Sequence, residues 1–191
     1  MRIVTCTYDK HAAAVRRILN DAIVHTTALY EYEPKSMASM AAWFEVKQAG
    51  GFPVIGALDE HQDLLGFASY GSFRSYPAYK YTVEHSVYVD KAHRGKGIGK
   101  VLMKALITRA KEQQYHVMVG GIDAGNAASI AFHEQLGFLY AGSLAQVGFK
   151  FGRWLDLAFY QLILDTPLKP VVSISDRRRE RFTGREANRP S

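Results

Sequence analysis

The feature that most constrains this chain is a glycine-rich turn, Arg94-Gly95-Lys96-Gly97-Ile98-Gly99, between a strand-like and a helix-like segment. The strand-like segment covers residues 81–89 and the helix-like segment covers residues 101–114. Three glycines leave backbone N–H groups uncovered at the positive end of a helix dipole, where anions bind. Arg94 and Lys96 add positive charge, so the turn predicts a ligand that carries phosphate.

Two common nucleotide-binding motifs do not fit this turn. A P-loop ends in Gly-Lys-Ser or Gly-Lys-Thr, whereas Val101 follows Lys100 and offers no hydroxyl to magnesium. A dinucleotide-binding motif has the spacing G-x-G-x-x-G, whereas the glycines here are at positions 95, 97 and 99. Taken alone, the turn is also compatible with an ordinary glycine-rich start of a helix.

Length and composition limit the class of protein. A chain of 191 residues is long enough for one domain and short for two. No apolar run approaches the roughly 20 residues that span a bilayer, and the N-terminal residues have a strand pattern instead of a signal-peptide pattern. A single cysteine excludes a disulfide framework and a thiolate zinc site. We expect a soluble cytoplasmic protein that uses no metal and contacts no membrane.

The positive charge is concentrated near the C-terminus. Residues 176–191 contain six Arg and three acidic residues, which gives +3 of the net +6. We therefore expect no nucleic-acid ligand, since the rest of the chain has no basic stripe interleaved with exposed aromatics. The alternative is that the arginine-rich tail binds nucleic acid or another acidic partner. We expect residues 1–165 to form one domain, residues 166–191 to form a basic tail, and residues 173–191 to be disordered.

The apolar pattern predicts alternating strands and helices. Asp9 and Ser36 are placed to cap two N-terminal helices, and residues 53–58 and 64–73 form a predicted hairpin. Later segments predict a strand at 116–122, a helix at 127–136 that ends at Gly137, and strands at 138–147 and 155–164. The order indicates an α/β sheet with at least one parallel pair.

Taken together, these features resemble GNAT-fold N-acetyltransferases. Arg94, Gly97 and Gly99 match the family's turn, and Asn126 and the segment His-Glu-Gln-Leu-Gly-Phe at 133–138 follow in the family's order. Residues 82–89 (TVEHSVYV) and 150–157 (KFGRWLDL) resemble the phosphinothricin and methionine sulfoximine acetyltransferase branch. The resemblance implies an α/β (α+β) fold with a central mixed, mostly antiparallel twisted sheet flanked by helices. It also implies acetyl-CoA as co-substrate and a homodimer.

The resemblance further implies which residues bind CoA. The turn would bind the pyrophosphate, and the strand before it would pair its free backbone groups with the pantetheine amides. Asn126 would bind the pantetheine arm, although it also fits an N-cap, and Ser129 would add a polar contact. The implied cofactor-binding residues are Val87, Tyr88, Val89, Arg94, Gly95, Lys96, Gly97, Ile98, Gly99, Asn126 and Ser129.

Acetyl transfer to an amine requires a base, because the amine is protonated near neutral pH. Glu84 is the candidate base, since a carboxylate within an apolar strand is costly unless it has a function or a partner; the alternative is a solvated side chain. His133 occupies the position of a family tyrosine that protonates the departing thiolate, and it could act as acid, as auxiliary base or only in packing. Tyr140 and Tyr160 are further possible proton donors.

Arg74 is the candidate for acceptor recognition, because a guanidinium pairs with the carboxylate of an amino acid. Arg153 is an alternative, and Tyr30 could contribute to the pocket wall. The predicted acceptor-binding residues are Phe73, Arg74, Ser75, Val83, Glu84 and His85. In a regular strand His85 points away from Glu84, so for its side chain we favour packing.

The predicted activity is direct acetylation of the α-amino group of a small amino-acid analogue. The resemblance suggests phosphinothricin, methionine sulfoximine or methionine sulfone as acceptors. The alternatives are an acetyltransferase of protein N-termini or lysines and a non-catalytic acetyl-CoA-binding module. An acceptor on a protein would favour an open groove over a closed pocket.

Overall fold

Seven strands form one mixed sheet in the computed structural model, which describes residues 1–170. The strands are β1 (Arg2–Thr5), β2 (Val54–Leu58), β3 (Leu64–Ser72), β4 (Thr82–Val89), β5 (Val117–Asp123), β6 (Leu139–Lys150) and β7 (Arg153–Ile163). Their order across the sheet is β1-β2-β3-β4-β5-β7-β6. Among these strands only β4 and β5 run parallel; the other neighbours are antiparallel. This confirms the mixed, mostly antiparallel sheet that the resemblance implies.

Four helices cover the two faces of the sheet. They are α1 (Tyr8–His25), α2 (Met37–Ala49), α3 (Ile98–Glu112) and α4 (Ala127–Glu134). Buried side chains of α1 and α2 pack with Val54, Leu64 and Phe67 on one face. Side chains of α3 and α4 pack with Ala68, Val83 and other residues on the opposite face. Burial of apolar surface on both faces holds the sheet between two helical layers.

The helix starts differ in part from the predictions. Ser36 caps α2 as predicted, since its Oγ accepts a hydrogen bond from the Ser39 backbone N–H at 3.1 Å. The prediction that Asp9 caps α1 is wrong. Thr7 is the last extended residue before that helix, and Asp9 lies in its first turn. The Thr7 backbone N–H donates to His11 Nδ1 at 3.0 Å, which satisfies a donor at this end.

Two helix bounds also differ from the predicted ones. Helix α3 begins at Ile98, three residues before the predicted start, because Gly97 ends the turn in the left-handed region at φ 77°. Helix α4 ends at Glu134. Gly137 follows two residues beyond the helix's C-cap at φ 89°, and its N–H donates to the Glu134 carbonyl at 2.9 Å. The glycine thus closes the turn after the helix.

Strand β4 presents its side chains alternately to the two helical layers. Val83 is part of the core beneath α3, and Val87 packs against that core. Tyr88 packs against the core beneath α1 on the other face. Glu84 and Ser86 share the side of Tyr88. Two neighbouring residues of this strand therefore place their side chains on opposite faces of the sheet.

The β6–β7 hairpin is tied to the end of α1 by a buried lysine. Lys150 Nζ donates to the backbone carbonyls of Ile23, Thr26 and Leu29 at 2.6, 2.9 and 2.7 Å. A cation at the C-terminal end of a helix satisfies free carbonyls and complements the helix dipole. This contact fixes the segment after α1, which lines the site described below.

The described chain continues past the last strand to residue 170. Thr166 lies just beyond the predicted domain boundary, and its carbonyl oxygen accepts a hydrogen bond from His116 Nδ1 at 2.7 Å. The predicted disorder of residues 173–191 lies outside the described residues. Within residues 1–170, no helix combines the length and apolar character needed to cross a membrane.

Candidate active site

The site begins where β4 and β5 separate. These parallel strands pair only from Thr82 to Glu84 on β4 and from Val117 to Val119 on β5. Beyond this point β4 pairs with β3 up to Val89, and β5 pairs with β7. The facing edges of β4 and β5 are thus free of strand pairing over several residues, and their backbone N–H and C=O groups can bind a ligand.

A cavity of about 700 Å³ lies against this opening. It is lined by the C-terminal end of β4, the glycine-rich turn, one side of α4 and one side of α1. The predicted cofactor-binding residues in its wall are Val87, Tyr88, Val89, Arg94, Gly95, Gly97, Ile98, Gly99, Asn126 and Ser129. Lys96 is exposed in the same turn and is the one predicted cofactor-binding residue that does not line the cavity.

The turn is shaped for backbone contacts. Gly95 and Gly97 both have φ of 77°, a conformation that favours glycine. A Cβ at either position would have no atom within 4 Å among the described residues, so the backbone conformation and not crowding accounts for the glycines. The first N–H groups of α3 have no partner within a helix. They supply donors to an anion at the positive end of the helix dipole.

Asn126 is the N-cap of α4. Its Oδ1 accepts a hydrogen bond from the Ser129 backbone N–H at 3.0 Å. The residue lines the cavity and the cap uses only its Oδ1, so the cap and the predicted ligand contact are compatible.

His133 lies one turn after Ser129 on α4 and is buried at the cavity wall. Its Nδ1 is 2.7 Å from the Ser129 carbonyl oxygen, which requires a proton on Nδ1. Within the described chain, Nε2 has no hydrogen-bond partner and carries the free lone pair. Burial lowers the pKa of His133, partly opposed by the Ser129 carbonyl. This neutral tautomer is suited to accept a proton more than to donate one.

His85 stacks on His133 on the same side of the sheet. The two ring centroids are 5.0 Å apart. Burial lowers the pKa of His85 to about 3, with the neighbouring His133 as a smaller cause. Neither ring nitrogen of His85 has a hydrogen-bond partner within residues 1–170. Both rings line a smaller cavity of about 90 Å³ that extends between β4 and β5.

Glu84 lies on the other side of the sheet from His85, as the strand alternation predicts. Burial raises the pKa of Glu84, and the positive charge of Arg74 partly opposes the rise. The carboxylate lies above Gly121 of β5, where an added Cβ would be 3.1 Å from Glu84 Oε1. A partly buried carboxylate beside a free strand edge can accept a proton from a bound amine.

Arg74 lies in the exposed segment between β3 and β4, close enough to Glu84 to affect its pKa. Its guanidinium lies 5.1 Å from the centroid of the Phe73 ring, which meets Tyr79 edge-on at 5.6 Å. Ser75 is exposed beside them.

Two predicted acceptor-binding residues lie apart from this group. The side chain of Val83 is fully buried in the core beneath α3, and that of His85 faces α4. The structure therefore brings Phe73, Arg74, Ser75 and Glu84 to one region. It leaves Val83 with only its backbone available to that region.

Arg153, the alternative carboxylate-binding residue, contacts Asp123 instead, with Nη2 at 3.4 Å from Oδ2. Asp123 is buried and also accepts hydrogen bonds from Thr27 Oγ1 and from the Gly125 backbone N–H. Tyr30 packs over Gly148 of the same hairpin. Of these residues, Asp123 lines the smaller cavity between β4 and β5.

Sequence reasoning missed two glycines of β5. A Cβ at Gly120 would be 2.8 Å from His85 Nε2, and Gly121 leaves room for the Glu84 carboxylate on the other face. Adjacent glycines within a strand are a recognisable sign of a close approach. Ser86 and Asp123, which line the smaller cavity, were missed as well and carry no comparable signal.

A family model described as the acetyltransferase (GNAT) family matches residues 14–138. An L-methionine sulfoximine/L-methionine sulfone acetyltransferase of Pseudomonas aeruginosa is 51% identical over 148 residues, covering 78% of this chain and 86% of that protein. A phosphinothricin N-acetyltransferase of Alcaligenes faecalis is 34% identical over 154 residues, covering 80% of this chain and 78% of that protein.

Solved structures agree with these matches. A candidate acetyltransferase from Acinetobacter baylyi is 61% identical with a TM-score of 0.89, covering 90% of this chain and 97% of that chain. A candidate acetyltransferase from Salmonella typhimurium, solved with its cofactor acetyl-CoA, is 43% identical with a TM-score of 0.85, covering 91% of this chain and 99% of that chain.

Proposed function

The chain belongs to the GNAT family of acetyltransferases, and we propose that it transfers the acetyl group of acetyl-CoA to the α-amino group of a small amino-acid analogue. Methionine sulfoximine, methionine sulfone and phosphinothricin are the acceptors that its relatives suggest. One observation carries the proposal: a large cavity lies beside the free edge of β4 at residues 87–89, and the same strand carries a partly buried carboxylate, Glu84, where its pairing with β5 ends.

The donor occupies the larger cavity. Backbone N–H groups of residues 95–99 and the start of α3 bind its pyrophosphate, with charge from Arg94 and Lys96. The free edge of β4 at Val87 and Val89 pairs with the amides of the pantetheine arm. The cavity wall at Asn126 and Ser129 supplies polar groups for the same arm. This arrangement directs the thioester toward the opening between β4 and β5.

Glu84 acts on the acceptor. Its carboxylate takes a proton from the ammonium group, and the free amine attacks the carbonyl carbon of the thioester. The C–N bond forms, the C–S bond breaks, CoA leaves as a thiolate, and the second proton of the amine passes to that thiolate. His133 lines the same cavity, and its Nε2 has a free lone pair. This supports a second role for His133, in accepting a proton or in orienting the donor. This chemistry needs no metal, because the thioester is already activated.

Transfer is direct, without an acyl-enzyme. The one cysteine of the chain, Cys6, is buried next to β1, and burial raises the pKa of its thiol to about 12. A thiol with such a pKa is a poor nucleophile at neutral pH, because the thiolate is the reactive form.

Arg74 binds the carboxylate of the acceptor. Its guanidinium is exposed, carries no carboxylate ion pair within the described residues, and lies over the Phe73 ring near Glu84. A carboxylate bound there would hold the α-amino group near the base. The stacking on Phe73 limits the conformations of the guanidinium and so prepares it for a planar pair.

A panel of acceptors tests the proposal by release of free thiol from acetyl-CoA. We expect methionine sulfoximine, methionine sulfone or phosphinothricin to be acetylated, and their carboxyl methyl esters to react at least about tenfold less efficiently because the charged pair with Arg74 is lost. Peptides with a free N-terminus or a lysine provide the competing acceptor class. Preferential acetylation of those peptides would favour the alternative of an acetyltransferase that acts on proteins. Absence of thiol release with every acceptor would contradict the proposal that the chain is an active acetyltransferase.

We also propose a homodimer in the cytoplasm, where acetyl-CoA is available. The β6–β7 hairpin exposes five large apolar side chains that a partner subunit could cover, those of Leu144, Val147, Phe149, Phe151 and Trp154. Light scattering coupled to size-exclusion chromatography tests the dimer. We expect twice the mass of one chain, and the mass of one chain for a Trp154→Glu variant that keeps its fold.

A further inference from the structure

The segment that forms the phosphate-binding turn is strongly cationic. Between Asp90 and Glu112 the sequence contains seven Lys and Arg residues and no Asp or Glu. CoA and acetyl-CoA carry the same phosphates, so these cations attract the product as strongly as the substrate. Product release limits turnover in many enzymes. A carboxylate that offsets part of this charge would therefore affect how fast CoA leaves.

Asp21 of α1 is such a carboxylate. Its Oδ2 lies 3.2 Å from Arg94 Nη2, and its Oδ1 lies 3.4 Å from Lys91 Nζ and 3.3 Å from His25 Nδ1. Only about a fifth of its side chain is exposed (19%), so its field is less screened than that of a surface carboxylate. It therefore faces two cations at the start of the turn.

The other carboxylate at this turn has a different partner. Asp90 pairs with Arg17, which lies one helical turn before Asp21 on α1. Asp90 Oδ1 also accepts a hydrogen bond from the Ala92 backbone N–H at 2.9 Å. Its charge is thus used to join α1 to the turn. Within residues 1–170, Asp21 is the carboxylate that forms ion pairs with Arg94 and Lys91.

Arg94 does not depend on Asp21 alone for its position. Its Nε donates to the Val89 carbonyl oxygen at 3.2 Å, and the residue lines the large cavity together with Ala22 of α1 and Thr26 just after that helix. Replacing the Asp21 carboxylate by an amide would leave this second contact in place. The charge of Asp21 can therefore be removed while Arg94 stays at the cavity.

We propose that Asp21 is a positioning residue that offsets the charge of Arg94 and Lys91, so that CoA binds weakly enough to leave after each turnover. The proposal depends on the proposed function, because it requires the phosphates of CoA at the turn. It adds an electrostatic role for a residue that does not itself line the cavity.

Calorimetric titration of CoA into the Asp21→Asn variant tests this role. We expect the Kd of CoA to fall about three- to tenfold at about 50 mM salt, since removing one nearby charge strengthens attraction of the phosphates by that order. The difference should shrink below about twofold at about 500 mM salt, because screening weakens charge effects. In steady-state assays kcat should fall while product inhibition by CoA becomes stronger.

Two further variants separate charge from structure. Asp9→Asn removes the same charge from the first turn of α1, about 18 Å along the helix from Asp21, and should change the Kd of CoA by less than about twofold. Asp21→Glu keeps the charge and should restore binding close to that of the wild type. Both variants and Asp21→Asn should melt cooperatively.

The outcomes distinguish this role from the function itself. Unchanged or weaker CoA binding by Asp21→Asn would overturn the charge offset, and weaker binding would mean that Asp21 mainly orients Arg94. A difference that persists at high salt would also contradict it. If the wild-type protein binds no CoA, the proposed function fails and this inference fails with it.

Discussion

The two sides of the opening between β4 and β5 are built from different parts of the chain. The proposed donor side would use backbone groups: the left-handed turn at Gly95 and Gly97, the start of α3 and the free edge of β4. The proposed acceptor side would use the charges of individual side chains, Glu84 and Arg74. Backbone groups persist when side chains change, whereas a charge is lost with its residue. We therefore expect single substitutions on the acceptor side to have the larger effects.

The strongest test of this comparison is Glu84→Gln. We expect kcat to fall about 10²- to 10⁴-fold, the usual contribution of a general base, while the KM of acetyl-CoA stays within about twofold. Steady-state kinetics with both substrates varied would measure the two effects separately. Glu60→Gln, an exposed carboxylate at the β2–β3 turn, is the control that should leave both constants unchanged. Equal losses in kcat and in acetyl-CoA affinity would instead indicate a structural role for Glu84.

Arg74→Ala should raise the KM of the acceptor about tenfold or more, since a charge-assisted hydrogen bond is lost. It should also move the acid limb of kcat/KM. The base works when it is deprotonated, and Arg74 lowers the pKa of Glu84. Removing that charge raises this pKa further, so activity should be lost at a higher pH on acidification than in the wild type.

Arg74→Lys is the matched control for these two effects. It keeps the charge but not the planar pair, so the acceptor KM should rise while the acid limb stays close to that of the wild type. An acid limb that does not move in Arg74→Ala would show that Glu84 is not the titrating group, or that Arg74 does not affect it.

On the donor side, Gly97→Ala should have a smaller effect confined to acetyl-CoA. Gly97 has φ of 77°, and a non-glycine residue there costs about 1–2 kcal/mol. We expect the Kd of acetyl-CoA to rise about tenfold with an unchanged acceptor KM. Gly152→Ala places the same strain at φ 71° in the β6–β7 turn. It should lower the melting temperature without changing acetyl-CoA affinity, and a loss of affinity there would contradict a local effect at Gly97.

The same contrast explains what the sequence could predict. The donor side is encoded locally, because the glycines and the strand–turn–helix pattern are consecutive in the chain. The sequence predicts a hairpin of two strands over residues 53–58 and 64–73 for the same reason, and the antiparallel pair of β2 and β3 confirms it. Ser36 was recognised as a cap from its position alone, whereas for α1 the extended residue Thr7 and a bond from its N–H to His11 override the better cap former Asp9.

The acceptor side depends on contacts between distant parts of the chain. Asp123 meets Thr27 and Arg153 only in the folded protein. The proximity of Gly121 to Glu84 depends on the register of a parallel pair, which no local pattern specifies. The roles of Glu84, His133 and Arg74 stay predictions. The structure adds to them the opposite placement of Glu84 and His85 and the neutral tautomer of His133.

The smallest expected effect concerns the two histidines behind the donor side, and it is on stability. Burial lowers the pKa of His85 to about 3 and lowers that of His133 as well, so below about pH 6.5 the unfolded chain binds more protons than the folded one. Stability is therefore lost on acidification. From His85 alone we expect the free energy of unfolding to fall by about 1 kcal/mol between pH 7.5 and 5.5.

Urea unfolding of His85→Gln should show a correspondingly smaller loss over this range, whereas His61→Gln, at the exposed β2–β3 turn, should follow the wild type. An equal pH dependence in His85→Gln and wild type would mean that His85 takes up no proton on unfolding. Protonation of His85 would then make no contribution to the loss of stability in acid.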